Sequence, residues 1–124
     1  MSHYADRRMR TVVEFNLFSR LAEGRISDPE RRALIDFVAA HPDAGDLIPG
    51  AGGMRKLRWA ASGRGKSGGA RVITYWHCEG CPIYLITIYL KNERANLSRA
   101  EINSLHDAAK DLNNAHKKDP GTTP

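Results

Sequence analysis

The sequence lacks any apolar run near the roughly 20 residues that a membrane span requires. Its first ten residues, MSHYADRRMR, also lack the apolar segment of a secretion signal. It has only two cysteines, Cys78 and Cys81, and so no disulfide framework of the kind that stabilises small secreted domains. These absences predict a cytoplasmic protein with no membrane partner, whose two cysteines are reduced thiols.

Acidic residues are absent between Asp46 and Glu79, although the whole chain contains 14 Asp and Glu beside 19 Lys and Arg. The formal net charge is +5 and the pI is about 9.5. A surface that serves only solubility mixes charges of both signs. The basic charge and the acid-free stretch therefore indicate an anionic partner, and the charge alone does not choose among nucleic acid, an acidic protein segment and a membrane surface.

The length of 124 residues suits one compact domain and is too short for two well-buried ones. Residues 1–10 are polar and without periodicity, which predicts a flexible arm. The segment HKKDPGTTP at the other end lacks apolar periodicity as well, and residues 113–124 are expected to be a disordered tail. The folded domain is thus expected to span residues 11–112.

The order of periodic segments predicts the fold. A short strand, TVVEF, precedes two helices, and the second of them begins at a capping box formed by Ser27 and Glu30. The segments MRKLRWA, ARVITYWHC and PIYLITIYL then read as an antiparallel meander, before a capping box at Ser98 and Glu101 opens a last helix. We expect an α+β domain: a small antiparallel sheet, formed by the N-terminal strand and the three-stranded meander, with two N-terminal helices and a C-terminal helix packed against one face.

Strand alternation divides the basic stretch into two faces. Lys56 and Arg58 project together, whereas Arg55 projects to the other side with the apolar residues of that strand. On the following strand, Arg71 and Tyr75 share a face. Pairing of the two strands can bring them beside Lys56 and Arg58, which would form a basic cluster containing a phenol.

The connections between the strands carry further candidates. Arg64 and Lys66 lie in the glycine-rich segment ASGRGKSGG, which does not satisfy the Walker pattern GxxxxGK[ST]. Tyr89, Lys91 and Asn92 lie where the last strand ends, and such exposed ends often carry function. The segment WHCEGC lacks a fourth metal ligand and is read as a tight turn, so we expect no metal and no cofactor.

A cluster of this composition has the groups that RNA cleavage needs. RNA supplies its own nucleophile, the 2′-hydroxyl, so the protein must take its proton and stabilise the charge that develops on the phosphate. Two cations about 6 Å apart at an effective dielectric near 20 repel by roughly 3 kcal/mol, which can turn a crowded lysine into a base. An ordinary RNA-binding surface uses the same residue types.

The segments GAGGMRKLRWA, GRGKSGGARVITYW and YLITIYLKNERANLS, together with the order of elements, resemble the RelE/HigB toxins of bacterial type II toxin–antitoxin modules, in the RelE/ParE superfamily. The resemblance covers residues 11–112. It implies a ribosome-dependent endoribonuclease, an mRNA interferase that cuts translated mRNA without a metal and thereby inhibits translation. It also implies a cognate antitoxin, expected to carry a helix-turn-helix DNA-binding domain.

By position, the family's catalytic cations correspond to Lys56, Arg58, Arg71 and Lys91 in this sequence. The expected contacts with RNA and the ribosome are a larger set: Arg55, Arg64, Lys66, Tyr75, Tyr89 and Asn92.

Two departures from the family pattern leave the proton transfer open. Many members have an arginine where this chain has Asn92, and they carry a catalytic tyrosine in the C-terminal segment, which here reads ANLSRAE. Tyr75, Tyr89 or Lys56 remain alternatives for the base. Because the superfamily includes ParE-like members, a non-nucleolytic inhibitor of DNA gyrase is a second hypothesis, and a non-toxic basic module that binds nucleic acid is a third.

Overall fold

The computed structural model describes residues 9–60 and 69–118. Its elements, in chain order, are β1 (Val12–Glu14), α1 (Asn16–Ala22), α2 (Asp28–Ala40), β2 (Asp46–Leu47), β3 (Arg55–Trp59), β4 (Ala70–Tyr75), β5 (Ile83–Leu90) and α3 (Arg99–Lys118). The five strands form one sheet in the order β1-β5-β4-β3-β2. The predicted α+β class is confirmed.

The sheet is mixed rather than wholly antiparallel. β1 runs parallel to β5, with Val12 opposite Ile83, while every other pairing in the sheet is antiparallel. The two-residue strand β2, which is not among the predicted strands, adds a fifth strand at the other edge of the sheet. Such a short strand is specified by the pairing partner rather than by its own residues, so periodicity does not reveal it.

The helices cover both faces of the sheet, and the expectation that they share one face was wrong. Helices α1 and α2 bury Phe18 and Leu34 in one apolar cluster with Val72 and Leu85 of the sheet. Helix α3 covers the opposite face, where Leu105 and Ala109 pack with Ile48, Met54, Ile73, Tyr75 and Ile86. Residues that alternate along a strand therefore face two different cores, which explains why β4 and β5 are apolar almost throughout.

Both predicted capping boxes are present. The backbone N–H of Glu30 donates to the Ser27 hydroxyl at 3.2 Å, and the Ser27 N–H donates to the Glu30 carboxylate at 2.7 Å. Ser98 and Glu101 make the same pair of bonds, at 3.1 and 2.7 Å. Each box satisfies N–H groups that a helix start otherwise leaves without partners.

The structure extends the ordered domain at both ends of the predicted range. Arg10, assigned by the sequence to the flexible arm, donates its backbone N–H to the Ala39 carbonyl at 3.0 Å and pairs with Glu79 at 2.9 Å. Helix α3 continues to Lys118, beyond the predicted boundary at residue 112. No helix-breaking residue occurs between Leu112 and Pro120, and a helix once formed adds residues at little cost.

Cys78 and Cys81 form a disulfide in the turn between β4 and β5, which corrects the expectation of reduced thiols. The Cys81 N–H donates to the Cys78 carbonyl at 3.0 Å, and the indole of Trp76 donates to the Cys81 carbonyl at 3.1 Å. This turn brings the two Cα atoms to 5.2 Å, within the range that a disulfide bridges. The predicted tight turn is thus present, with a covalent link across it.

Candidate functional site

A polar cavity of about 320 Å³ opens on the sheet face that carries α3. Alternation places Arg71 on the same side of β4 as Ile73 and Tyr75. Ile73 and Tyr75 pack beneath α3, whereas Arg71, two residues earlier in the strand, faces the cavity. β2, β3, β4 and the segment after β5 supply the lining: Asp46, Lys56, Arg58, Arg71, Lys91, Ala95 and Asn96. The four residues predicted as catalytic therefore line one cavity.

The sheet register sets two arginines directly against each other in this cavity. Arg58 on β3 is opposite Arg71 on β4, and Arg71 is in turn opposite Tyr89 on β5. Arg71 is only 8% exposed, and its Nη1 donates to the Ala70 carbonyl at 3.3 Å. Like charges directly opposite on neighbouring strands are destabilising. An anion placed between the two cations would offset this repulsion, so the arrangement suits a phosphate group.

Lys91 reaches the cavity from the segment that follows β5. Its backbone N–H donates to the Gly69 carbonyl at 3.0 Å, which ties this segment to the start of β4. The Glu93 carboxylate accepts the Leu90 N–H at 2.7 Å and two bonds from Arg25, at 3.0 and 2.6 Å. The hydrogen bonds from Arg25 and from the Leu90 amide hold the pKa of Glu93 below its usual range. The turn that carries Lys91 is thus fixed by its bond to Gly69 and by the contacts of Glu93 with Arg25 and Leu90.

The two tyrosines expected at the site are buried beside the cavity rather than in its lining. Tyr75 is 4% exposed, packs in the cluster beneath α3 and stacks on the ring of His77, with 5.5 Å between ring centroids. The Tyr89 hydroxyl is buried without a hydrogen-bond partner among the described residues. Burial raises the pKa of both phenols, although Arg94, 4.8 Å above the Tyr89 ring, partly opposes this for Tyr89. Both hydroxyls therefore stay protonated at neutral pH.

The remaining predicted contact residues lie elsewhere. Arg55 projects away from the cavity, and its Nη1 donates to the Gly45 carbonyl at 2.9 Å. Asn92 is exposed on the segment after β5 but does not line the cavity. Arg64 and Lys66 lie outside the described residues.

Sequence reasoning missed three of the lining residues: Asp46, Ala95 and Asn96. Asp46 had a visible signal, because it is the last acid before the acid-free stretch. Nothing in the pattern ANLSRAE distinguishes Ala95 or Asn96, since their placement depends on the turn that Glu93 holds.

His77, Cys78 and Cys81 are the one group in residues 9–60 and 69–118 whose spacing suits a metal ion, with ligand atoms within 4.8 Å of one another. Nε2 of His77 lies 3.8 Å from Sγ of Cys81. The disulfide removes both thiolates, however, and a thiolate is the form of cysteine that binds metals. This group is also separate from the basic cavity, whose lining contains none of its members.

The fold and the cavity together define a small α+β protein with a cation-lined cavity on the sheet face that carries α3. Residues 9–120 match the family model described as the RelE toxin of the RelE/RelB toxin–antitoxin system. The chain belongs to the RelE toxin family, and the predicted resemblance is confirmed. It is the toxin of a toxin–antitoxin module, and its partner is a cognate antitoxin.

A membrane-spanning helix does not occur in the parts of the chain that the structure describes: none of their helices combines the necessary length with the necessary apolar content.

Proposed function

We propose that this toxin is a ribosome-dependent, metal-independent endoribonuclease that cleaves translated mRNA and so inhibits translation. The observation that carries the proposal is the convergence of Lys56, Arg58, Arg71 and Lys91 on one cavity. Fold alone would not support it, because one fold serves many activities.

The cavity has the properties that phosphodiester cleavage requires. In the transition state, negative charge accumulates on the oxygens of the scissile phosphate, and donors fixed in advance stabilise that charge most effectively. Arg58 and Arg71 are opposed by the sheet register, and an arginine fork matches the geometry of phosphate oxygens. The cations supply the positive charge that a metal ion supplies in other nucleases.

The antitoxin is proposed to neutralise the toxin by covering the basic cavity or obstructing access to it. An acidic segment would complement the cations that line the cavity. In our proposal this antitoxin also carries a helix-turn-helix domain. A toxin–antitoxin complex that leaves Lys56 and Arg71 fully open to a ribosome would contradict this part of the proposal.

The direct test is induced expression followed by mapping of mRNA 5′ ends. The wild-type toxin should produce new ends within translated regions, and cleavage by purified toxin should require ribosomes. Lys56→Ala and Arg58→Ala should each slow cleavage by about 10²–10³-fold, the usual effect of removing one group that stabilises developing charge. Lys110→Ala removes an exposed charge on α3, away from the cavity, and serves as the matched control.

Growth arrest with intact transcripts would refute the proposal. A supercoiling assay then identifies the alternative, because a gyrase inhibitor blocks supercoiling without cutting RNA. Salt-sensitive RNA binding with neither arrest nor cleavage would instead indicate a non-toxic nucleic-acid-binding module.

A further inference from the structure

Asp46 is the one carboxylate among the residues that line the basic cavity. It lies in strand β2 at the edge of the sheet, directly opposite Lys56 of β3. Its side chain is exposed, and within residues 9–60 and 69–118 it forms no ion pair. A carboxylate is thus presented to the same space as the cations without being neutralised by any one of them.

The backbone around Asp46 is built for a close approach to β3. Gly45 has a φ of +96°, which L side chains rarely adopt, and a Cβ placed there would lie 2.8 Å from the Lys56 carbonyl oxygen. The Arg55 guanidinium donates to the Gly45 carbonyl at 2.9 Å and holds this peptide from the other side of the strand. Three features therefore fix the position of Asp46: the strand pairing, the glycine and the Arg55 bond.

A carboxylate at this position works against phosphate binding. At an effective dielectric near 20, two like charges about 6 Å apart repel by roughly 3 kcal/mol. A site selected only to hold RNA would gain affinity from a neutral residue here. A carboxylate can instead serve a step after binding, since it can accept a proton, and the cations are unsuited to that role because lysine and arginine are ordinarily protonated at neutral pH.

We propose that Asp46 is the general base of the cleavage reaction, an assignment that rests on the proposed function. The Asp46 carboxylate takes the proton of the RNA 2′-hydroxyl, and the 2′-oxygen forms a bond to phosphorus. The bond from phosphorus to the 5′-oxygen breaks, and this oxygen takes a proton from a cavity ammonium group, that of Lys56 or Lys91. The products are a 2′,3′-cyclic phosphate and a 5′-hydroxyl, and solvent restores both protein groups.

The other candidates for the base fit less well. Tyr75 and Tyr89 do not line the cavity, and burial keeps both phenols protonated. A lysine ammonium is ordinarily protonated at neutral pH, so Lys56 suits the role of proton donor given above. Carboxylates are also ordinary general bases in enzymes, so the assignment requires no unusual chemistry of the residue.

The test is single-turnover cleavage on ribosomes programmed with a defined mRNA, using the wild-type protein, Asp46→Asn, Asp46→Glu and the control Asp43→Asn. Asp43 is an exposed acid in the same loop that does not line the cavity. Asp46→Asn should reduce the cleavage rate by about 10²–10⁴-fold, the usual contribution of a general base. Its affinity for the ribosome should be equal or higher, and its unfolding temperature should be unchanged. Asp46→Glu should recover part of the rate, and Asp43→Asn should behave as wild type.

The pH profile separates a base from a residue that only shapes the site. The wild-type rate should fall at acid pH, and Asp46→Asn, which lacks the carboxylate among Lys56, Arg58, Arg71 and Lys91, should lose this acid limb. A rate for Asp46→Asn within threefold of wild type, or an altered cleavage sequence at an unchanged rate, would overturn the assignment while leaving the endoribonuclease intact. A loss of rate that is matched by lost ribosome affinity, or an acid limb that persists in Asp46→Asn, would overturn it too. If the wild-type toxin does not cleave mRNA, the proposed function itself fails, and the assignment of Asp46 falls with it.

Discussion

Replacement of Glu93 should loosen the turn that carries Lys91 into the cavity. The Glu93 carboxylate makes two separable contributions: a two-bond ion pair with Arg25, and acceptance of the Leu90 N–H. The side chains of Arg25 and Glu93 are 27% and 35% exposed, so solvent screening limits the ion pair to about 1 kcal/mol. Leu90 is 7% exposed, and leaving its N–H without an acceptor costs about 1–3 kcal/mol.

The two contributions predict different results for two variants. Glu93→Gln keeps an oxygen for the Leu90 N–H and should lose about 1 kcal/mol or less, whereas Glu93→Ala loses both contacts and should cost about 2–4 kcal/mol. For a domain of this size, Glu93→Ala should lower the unfolding temperature by about 9–17 °C. Asp111→Asn, which removes an exposed charge on α3, is the charge-matched control for Glu93→Gln.

The stabilising effect of the Glu93 carboxylate should depend on pH. Because the folded protein holds the pKa of Glu93 below its usual value, the carboxylate contributes stability above the unfolded pKa of about 4.3. That contribution is lost as the pH falls through the folded pKa. Thermal unfolding from pH 7 to pH 3 should therefore show the wild type and Glu93→Gln converging at the acid end. A difference that stays constant with pH, or equal losses for Glu93→Gln and Glu93→Ala, would refute the reasoning.

Two further predictions concern stability. Ser98→Ala removes the hydroxyl that accepts the Glu101 N–H at the start of α3 and should cost about 0.5–2 kcal/mol in chemical denaturation; an unchanged midpoint would contradict the capping role. The Cys78–Cys81 disulfide closes a very short loop, so its reduction should lower the free energy of unfolding by no more than about 2 kcal/mol. Cys78→Ser should be insensitive to the reductant, and a larger loss would mean that the bond does more than restrict the unfolded chain.

The parts of the fold that were predictable from sequence depend on neighbouring residues. The capping boxes at Ser27 and Ser98 require only a serine and a glutamate three positions apart, and both form as expected. Alternation along β3 correctly separated Lys56 from the buried Leu57. Such features can be predicted from sequence because the interactions that cause them lie within a few residues of one another.

The features that sequence reasoning missed depend on distant partners. Alternation placed Tyr75 on the same face as Arg71, but α3 covers the Tyr75 end of that face and leaves the Arg71 end to the cavity. Asp46 joins the site only because β2 pairs with β3, and a two-residue strand has no periodicity. The lining of the cavity was therefore only partly predictable from the sequence. The alternation of residues along β3 and β4 predicts its cations, but no sequence pattern predicts that Asp46 joins them.

The parallel pairing of β1 with β5 has a consequence for synthesis of the toxin. β1 ends at Glu14 and has no partner strand until β5 begins at Ile83, and Lys91 and Asn96 follow later still. At about 5–20 residues per second, several seconds of translation separate the two strands. A chain that ends before Ile83 therefore lacks the partner strand of β1 and part of the cavity lining. The parallel strand pair and the cavity lining can therefore assemble only after the chain has been synthesised past Asn96.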